Sequence, residues 1–563
     1  MTATVNGASA PGVLDRLWRR QLAHYPETRP RVTYLAIVVL TTVILYYELY
    51  IAGAVSPSII AGYGMTFPFY VYISVVGNAV GAFGSLAAGL ADRWGRANLV
   101  AYGVLLTALL TLFGIPNASG KWEFAILFAV IGCVEGIVLV ATPALVRDFS
   151  PQLGRASAMG FWTLGPVVGS LVVSVVSSNT VGSLHPWQDQ FIICGIASLA
   201  VGVIALFGLR ELSPRLRDQL MVSLRDRALI EARARGIAIE DSLRHPWRQM
   251  MRLDVIGSAF AIAVFLLIYY TAVGFFTVYF TTIHGFSLSR ANSIGNWFWA
   301  FDAGVLIVVG IISDRVGVRK PFMVLGGVGA IVMTIVFLSL GASTSYATLV
   351  LVISLLAVFL GIAYGPWMAS FTETVEKHNP ALTATGLAVW GWIIRAVIAI
   401  SVFILPFVVS SMTPLVTYGT QVSTLSAKYA PQLATLKAID GKTLAALQAN
   451  PADTAAAATA VGEIAKAYSV GPAAATTRLT ALAAVPKADL AYLNAHGTDV
   501  ASAAAAAPGE WRNWWWVCVG GEVVFLPFIL VMAGRWRPRK AREDAEEHAQ
   551  LVQRELEALR AGS

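Results

Sequence analysis

Long apolar runs alternate with short polar stretches along most of the chain. Of its 563 residues, 57% are hydrophobic and 13% are charged, and the charges cluster between the apolar runs. A helix needs about 20 predominantly apolar residues to cross a bilayer. The pattern therefore predicts an all-α membrane protein with twelve transmembrane helices, or spans. They are expected near 32–54, 66–90, 98–116, 122–146, 157–178, 190–209, 255–283, 290–313, 321–341, 347–370, 384–409 and 513–534.

Lysine and arginine divide the loops between these spans into two classes. The short loops after spans 1, 3 and 5 carry almost no basic residues, with Lys121 as the exception. The loops after the even-numbered spans are basic, with Arg93, Arg96, Arg147, Arg155, Arg315, Arg319 and Lys320. Because basic loops stay on the cytoplasmic side, both termini are expected in the cytoplasm, and the protein in the plasma (inner) membrane. The same bias explains the net charge of +8, which therefore gives no reason to expect nucleic-acid binding.

The spans fall into two sets of six, which predicts two pseudo-symmetric six-helix halves. The first set forms an N-terminal bundle, and the second set is interrupted by an Ala-rich segment. Several Pro residues divide that segment into short predicted helices, so we expect an extracytoplasmic helical insertion. The predicted regions are the N-terminal cytoplasmic segment 1–31, the first bundle 32–209, a cytoplasmic linker 210–254, helices 7–11 at 255–409, the insertion 410–512, helix 12 at 513–534 and a cytoplasmic tail 535–563.

Five ionisable side chains fall near the middle of predicted spans: Glu48, Glu135, Asp302, Arg395 and Glu522. A charge at that depth costs at least ~2.5–3.5 kcal/mol. Such groups are retained mainly where they face a cavity, form pairs or move ions, which points to transport. An isolated carboxyl group in a low-dielectric cavity can take up a proton near neutral pH.

Two stretches repeat at a distance of six spans. GLADRWGRANLV (89–100) follows span 2, and GIISDRVGVRKPFMV (310–324) follows span 8. This double Asp-Arg-x-Gly signature within a six-plus-six topology resembles the major facilitator superfamily. The resemblance covers nearly the whole chain except 1–30, 411–512 and the tail, and it implies two bundles that alternate access to a central site.

In that family the motif is thought to latch the cytoplasmic ends of the two halves. The resemblance therefore implies a cytoplasmic gate formed by Asp92, Arg93, Gly95, Arg96, Gly310, Asp314, Arg315, Gly317 and Arg319. The alternative is a plain capped turn. The first copy departs from the pattern, because Ala88 and Ala97 stand where the family has Gly and a basic residue.

Three local matches point to different branches of the family. YYELYIAGAVSPSI (46–59) is similar to the span 1 pattern of proton-coupled sugar and metabolite porters, with Glu48 at the acidic position. LRELSPRLRDQL (209–220) is similar to their Pro-Glu-Ser-Pro-Arg element, whereas GFWTLGPVVGS (160–170) is similar to an element of drug exporters. Span 4 departs from both branches, because Gly132 replaces the expected Arg and Glu135 lies nearby.

These comparisons rank the mid-membrane groups. Glu48, Glu135 and Asp302 are the proton-coupling candidates, although each can instead be a structural acid. Arg395 is expected either to pair with Asp302 or to bind a substrate carboxylate. Glu522 is expected to serve in helix packing. Further substrate-binding candidates are Tyr47, Asn78, Tyr269, Tyr270, Asn296, Tyr364 and Trp367.

The chain therefore reads as a secondary active transporter of a small organic solute, an organic anion or a sugar-like metabolite, coupled to protons. Its partners are this solute, protons and the lipid bilayer. No phosphate-cradling loop, catalytic constellation or metal-ligand cluster is apparent, so no enzyme activity, cofactor or metal is expected. Two alternatives remain open. One is a proton-antiport drug exporter, and the other is a non-transporting receptor or scaffold on the same fold.

Overall fold

A computed structural model describes residues 18, 20–86, 94–150, 164–182, 186–213, 216, 246–379 and 382–561. Asp92, Arg93, Pro214, Arg215 and most of the predicted linker lie outside these residues. The chain divides into two compact units, one comprising Met1–Val409 with Gly509–Ser563 and the other Ser410–Pro508.

In the described residues, the first half of the larger unit has seven helices, with one short strand before them and one after them. The elements are β1 (Gln21–Leu22), α1 (Thr28–Ala54), α2 (Ser56–Gly62), α3 (Phe67–Leu86), α4 (Arg96–Leu109), α5 (Lys121–Phe149), α6 (Gly165–Thr180), α7 (Gln188–Gly208) and β2 (Glu211–Leu212). A π-helical turn and a 3₁₀ turn extend α4 as far as Asn117. We call this set of elements the N-half.

The second half of this unit is also helical. Its elements are α8 (Pro246–Met250), α9 (Leu253–Phe265), α10 (Leu267–Ile283), α11 (Leu288–Val316), α12 (Lys320–Ser339), α13 (Tyr346–His378) and α14 (Thr383–Val408). The part of a 45-residue helix, Lys487–Val531, that follows Pro508 completes this set, which we call the C-half. A final helix, Pro538–Ala561, follows.

Among the described residues, eleven helices are long and apolar enough to cross a membrane. Gly165–Thr180 is also apolar but shorter, so the count of twelve spans stays a prediction. The two short strands are the exception to the helical fold. They pair in parallel, with Gln21 opposite Glu211 and Leu22 opposite Leu212.

We call the end of the bundle near Tyr63, Asn117 and Gly285 the outer end, following the orientation predicted from the loops. There the two halves are joined by hydrogen bonds. Asn292 Nδ2 on α11 donates to the Ala54 carbonyl at the end of α1, at 2.9 Å. Ser289 Oγ donates to the Ser178 carbonyl at 2.5 Å.

Close backbone approach supports this outer contact. A Cβ atom added at Gly53 of α1 would lie 2.4 Å from the Val273 carbonyl oxygen of α10. Only glycine permits this approach. Ring contacts between Phe67 and Phe275, with centroids 5.8 Å apart, cross the same boundary.

The opposite end, near Arg20, Gly95 and Gly317, is the inner end. Here Glu211 Oε2 accepts hydrogen bonds from the N–H groups of Arg96 (2.6 Å) and Ala97 (3.3 Å). The carboxylate thus occupies the N-terminus of α4, where the helix dipole favours negative charge. The β1–β2 pairing sets this arrangement, since Glu211 N donates to the Arg20 carbonyl at 3.1 Å.

The smaller unit, Ser410–Pro508, has a hydrophobic core of its own. Ile439, Ala460, Ile464, Ala475 and Leu482 form its centre. Its complete helices are Met412–Lys428, Ala430–Lys437, Gly441–Ala449, Thr454–Tyr468 and Pro472–Ala483.

One expectation about this region is corrected. Pro508 was expected to end a helix, but Lys487–Val531 runs through it. The five alanines at 503–507 that precede the proline have high helix propensity, which favours a helix on its N-terminal side.

Candidate proton and substrate sites

Glu48 lies in α1 and is 3% exposed. It faces into the N-half, where the hydroxyls of Thr107 on α4 and Ser198 on α7 lie beside its carboxyl group. Thr107 Oγ1 is directed to the Val104 carbonyl at 3.1 Å. Within the described residues, neither oxygen of Glu48 has a hydrogen-bond partner. Ser198 Oγ also has none. The carboxyl group is therefore enclosed without a bonded partner.

Glu135 on α5 is 2% exposed and lies within electrostatic range of both Glu48 and Tyr46. Both of its oxygens also lack a hydrogen-bond partner in the described part of the chain. Two buried carboxyl groups that interact and have no ion-pair partner cannot both ionise at acceptable cost. The pair is therefore suited to hold a proton.

Helix packing explains why span 4 lacks the arginine of related patterns. A Cβ at Gly136 of α5 would lie 2.1 Å from the Gly81 carbonyl oxygen of α3, and one at Gly132 would lie 2.9 Å from the Gly77 carbonyl oxygen. The two backbones are in direct contact along this face. An arginine at position 132 would have no room, and Glu135 is left without that partner.

Asp302 on α11 is 3% exposed and faces α13. A Cβ at Gly361 would lie 3.1 Å from its Oδ1 atom. Tyr269 on α10 and Tyr364 on α13 lie within electrostatic range of the carboxyl group. No described side chain forms a hydrogen bond or ion pair with it.

Arg395 on α14 is only partly buried and lies within electrostatic range of Tyr46 on α1. The expected ion pair between Arg395 and Asp302 is absent from the described residues. The reason is geometric: the acid faces α13 within the C-half, whereas the base is near α1 of the N-half. The structure therefore corrects the pairing and leaves both groups without a counter-charge.

Aromatic side chains from both halves lie around these two charges. Tyr46 and Tyr50 have ring centroids 5.4 Å apart, and Tyr50 interacts electrostatically with Tyr364 and with Tyr269. In the C-half, Tyr269 contacts Trp299 edge-on at 5.0 Å. The residues share a location where α1, α10, α11, α13 and α14 converge.

Two further aromatic candidates, Tyr270 and Trp367, contact these tyrosines, whereas Tyr47 does not. Tyr270 contacts Tyr269 at 5.7 Å, and Trp367 stacks with Tyr364 at 6.2 Å. Trp367 is fully buried, and its Nε1 has no partner among the described residues. Tyr47 instead lies beside Cys194 inside the N-half.

Sequence reasoning named Tyr47 and missed Tyr46 and Tyr50. The signal was available, because residues four apart share one helix face.

The polar candidates lie away from the charged groups. Asn78 is exposed and donates to the Ser74 carbonyl of its own helix at 2.8 Å. Asn296 Nδ2 donates to Ser178 Oγ at 3.0 Å, which places it at the outer contact between the halves. Asn296 therefore belongs to the outer contact between the two halves.

The inner-end motif arginines form ion pairs, and two of the acids in these pairs, Asp148 and Glu373, are not among the residues predicted from the sequence. In the N-half, Arg96 pairs with Asp148 of α5 at 2.7 Å. In the C-half, Arg319 pairs with Asp314 at 2.7 Å and with Glu373 of α13 at 3.2 Å. Each half therefore links its motif arginine to an acid at the inner end of its fourth predicted span.

Of the remaining motif residues, Gly95 and Gly317 lie at helix ends, whereas Gly310 and Arg315 lie inside α11. Gly95 has φ 92° and Gly317 has φ 75°, which favours glycine at both positions. Arg315 is exposed, and a Cβ at Gly310 would meet nothing within 4 Å.

Glu522 is fully buried and accepts a hydrogen bond from Thr334 Oγ1 of α12 at 2.7 Å. It joins the helix Lys487–Val531 to α12. Its surroundings are those of a packing contact.

Comparison with known proteins identifies relatives of this architecture. The family profile for the Major Facilitator Superfamily matches residues 38–402. The chain is 26% identical over 350 residues to the glycine betaine/proline/ectoine/pipecolic acid transporter OusA of Dickeya dadantii, covering 58% of this chain and 64% of OusA. It is 24% identical over 343 residues to the glucose transporter GlcP of Staphylococcus epidermidis, covering 56% of this chain and 73% of GlcP. This chain thus spans less than two thirds of OusA.

The fold is also found in solved structures. A bacterial homologue of the human lysosomal transporter Spinster, inward-facing and unoccupied, aligns with a TM-score of 0.56 at 15% identity. The alignment covers 91% of this chain and all of that one. The likeness establishes the shared fold.

Proposed function

Because this chain belongs to the Major Facilitator Superfamily, and its relatives are transporters, we propose that it is a proton-coupled carrier of a small carboxylated organic solute. The observation that carries the proposal is the enclosed pair Glu48 and Glu135. Two buried, unpartnered carboxyl groups side by side are suited to bind and release a proton.

The assignment of solute rests on Arg395. A partly buried guanidinium without a described counter-charge offers a planar, two-pronged site for a carboxylate. The substrates for which OusA is named, glycine betaine and proline among them, carry a carboxylate and support a carboxylated solute. A sugar-like metabolite, as for GlcP, is the alternative, and it would leave the guanidinium without a charged partner.

Alternating access then exchanges a contact between the halves at the outer end for one at the inner end. The outer hydrogen bonds of Ser289 and Asn292 join the halves in the present conformation. Opening the outer end requires their loss and new contacts at the inner end, where the two basic motifs lie. We assign Asp92, Arg93 and their counterparts Asp314 and Arg315 to that inner gate, with both termini in the cytoplasm and the protein in the inner membrane.

The test uses the full-length protein in vesicles that contain a pH-sensitive dye. Glycine betaine, proline, pipecolic acid and glucose are added outside in turn. Inward movement of a carboxylated solute together with acidification of the lumen is expected. The Glu48→Gln variant should lose this acidification, whereas Glu522→Gln serves as a matched buried-acid control and should retain it.

The result that overturns the proposal is solute accumulation that is unchanged by collapse of the proton gradient. The drug-exporter alternative predicts that inward movement of protons drives lipophilic cations outward. It predicts no inward accumulation of a solute. Inward accumulation of a solute would reject the drug-exporter alternative.

A scaffold function predicts no transport and a partner for Ser410–Pro508. Deletion of 415–508 tests that alternative, because the smaller unit has its own core. We expect transport to survive the deletion. Its loss with retained folding of the larger unit would assign the smaller unit a necessary function.

A further inference from the structure

Arg20 precedes α1 and is only 1% exposed, although its side chain carries a permanent charge. It enters the inner end of the N-half between α4 and α7. Its Nη1 donates a hydrogen bond to the Ala205 carbonyl of α7 at 3.3 Å, and its guanidinium lies over the Tyr102 ring of α4, 5.4 Å from the centroid. Because burial of a charge costs free energy, packing alone does not account for an arginine at this position.

The backbone on both sides of Arg20 is fixed. The Arg20 carbonyl accepts a hydrogen bond from Glu211 N at 3.1 Å, as part of the β1–β2 pairing. On the other side, Asn98 Nδ2 of α4 donates to the Trp18 carbonyl at 2.8 Å. These contacts position Arg20 so that its guanidinium is directed into the N-half.

The packed boundary between α4 and α7, which we call the seam, ends at Arg20. A Cβ at Gly195 of α7 would lie 2.6 Å from Leu112 Cα of α4, and a Cβ at Gly202 would lie 2.8 Å from Leu105 Cδ2. The two contacts fix an antiparallel register for these helices. In this register the contacts of Arg20 lie about one turn beyond Gly202 and Leu105, towards the inner end.

Glu48 lies on the same seam, further from the inner end. Its hydroxyl neighbours, Thr107 on α4 and Ser198 on α7, fall between the two glycine contacts of the seam. The helix rise from Ser198 to Ala205 is about 10 Å. The guanidinium of Arg20 therefore stands about 10 Å closer to the inner end than the carboxyl group.

The part of the seam between these two levels has no polar side chain. Residues 103–106 of α4 and 199–204 of α7 are all hydrophobic or glycine. A proton moves through water or polar groups, and an apolar passage is a poor place for ordered water. A positive charge at the inner end of such a passage repels a proton as well, as arginine does in channels that exclude protons.

From this geometry we propose that Arg20 is a proton barrier, whose fixed positive charge closes the seam between Glu48 and the inner face of the membrane. A proton bound at Glu48 then does not leak through the N-half when no solute moves. The inference rests on the proposed function, in which Glu48 carries the proton. It goes beyond that function because it gives the segment before α1 a part in coupling.

The experiment measures proton flux without solute, in vesicles that contain the full-length protein and a pH-sensitive dye. Flux is recorded after a pH jump, with valinomycin and potassium present to balance charge. The flux of the unaltered protein should be close to that of protein-free vesicles. Arg20→Gln should raise it by ~10-fold or more, as expected when a unit charge about 10 Å from the path is removed at protein-like dielectric.

Further variants separate the charge from the fold. Arg20→Lys keeps the positive charge and should keep the flux low. Arg20→Gln combined with Glu48→Gln should lose the leak, whereas a fold that had merely loosened would leak without Glu48. Arg29→Gln, which removes an exposed arginine at the start of α1, is the matched control and should leave the flux unchanged. Arg20→Met, which retains the apolar stem, replaces Arg20→Gln if that variant does not fold.

Three results overturn the inference. They are an unchanged flux in Arg20→Gln, a flux in Arg20→Lys as high as in Arg20→Gln, and a leak that persists in the double variant. Each leaves the proposed coupling standing, because solute-driven acidification is measured in a separate assay. Retention of that acidification in Glu48→Gln would instead refute the proposed function.

Discussion

The N-half encloses two carboxyl groups within electrostatic range of each other, whereas the C-half holds an acid and a base apart. The oxygens of Glu48 and Glu135 are buried and have no hydrogen-bond partner among the described residues. Asp302 and Arg395 are separated by tyrosines, and Arg395 is partly exposed. The difference suggests a division of tasks, in which a sealed pair of like charges binds a proton and separated opposite charges bind a solute.

The largest expected effect is loss of coupling through the N-half. Replacing either Glu48 or Glu135 with Gln removes a proton-binding group and retains its size. Proton-driven uptake should fall by on the order of 100-fold, as expected when a proton-transfer group is removed. The measurement is uptake in vesicles under an imposed pH gradient.

The same variants should still exchange solute across the membrane when solute is present on both sides. This readout separates coupling from folding, and Glu522→Gln is the control for loss of a buried acid. Loss of exchange together with uptake would place Glu48 and Glu135 in the structural core and would break the comparison.

The second effect concerns the C-half. Arg395→Lys keeps the positive charge but removes the planar fork, so affinity for a carboxylated solute should fall by about 10-fold, the value of one charge-assisted hydrogen bond. Binding titrations measure it. Uptake at saturating solute should stay proton-driven, because the N-half pair is unchanged. Loss of proton coupling in Arg395→Lys would contradict the division between halves.

The ion pairs at the inner ends of the two halves differ in how far they are exposed to solvent. Arg96 and Asp148 have side chains 11% and 4% exposed, whereas Asp314, the partner of Arg319, is 70% exposed. Removing one partner of a buried pair costs about 3–5 kcal/mol, and an exposed pair contributes about 0–1 kcal/mol. Asp148→Asn should therefore lower thermal stability clearly more than Asp314→Asn. Equal shifts in the two unfolding curves would refute this contrast.

Much of this architecture could be predicted from the sequence. Apolar runs are long enough to specify helices, and the repeated Asp-Arg-x-Gly stretches identified the family. The burial of four of the five mid-membrane groups, Glu48, Glu135, Asp302 and Glu522, agrees with their predicted depth in the membrane, because a charge facing lipid at that depth is costly.

The helix face from which each of these side chains projects could not be predicted in the same way. Depth along a helix does not fix the face on which a side chain lies. Tyr47 was therefore preferred to Tyr46, and an Arg395–Asp302 pair was expected. Facing depends on packing, such as the contact of Gly136 with Gly81, which requires the three-dimensional structure.

The smallest expected effect tests the contact that joins the two halves. At Gly53 an added Cβ would meet the Val273 carbonyl oxygen at 2.4 Å, whereas at Gly274 it would meet nothing within 4 Å. Overpacking typically costs about 1–3 kcal/mol, so Gly53→Ala should shift the protein several-fold towards an open outer end. Gly274→Ala is the matched control.

A cysteine reporter at Ser178, whose carbonyl accepts the outer hydrogen bond from Ser289, can follow this shift. The three native cysteines, Cys133, Cys194 and Cys518, are free and are replaced first. Labelling of Ser178→Cys by a membrane-impermeant maleimide should be several-fold faster with Gly53→Ala and unchanged with Gly274→Ala. Equal rates in the two variants would mean that the approach of α1 to α10 does not hold the outer end closed. The polar contacts of α11 and the Phe67–Phe275 ring contact would then be what joins the described parts of the two halves there.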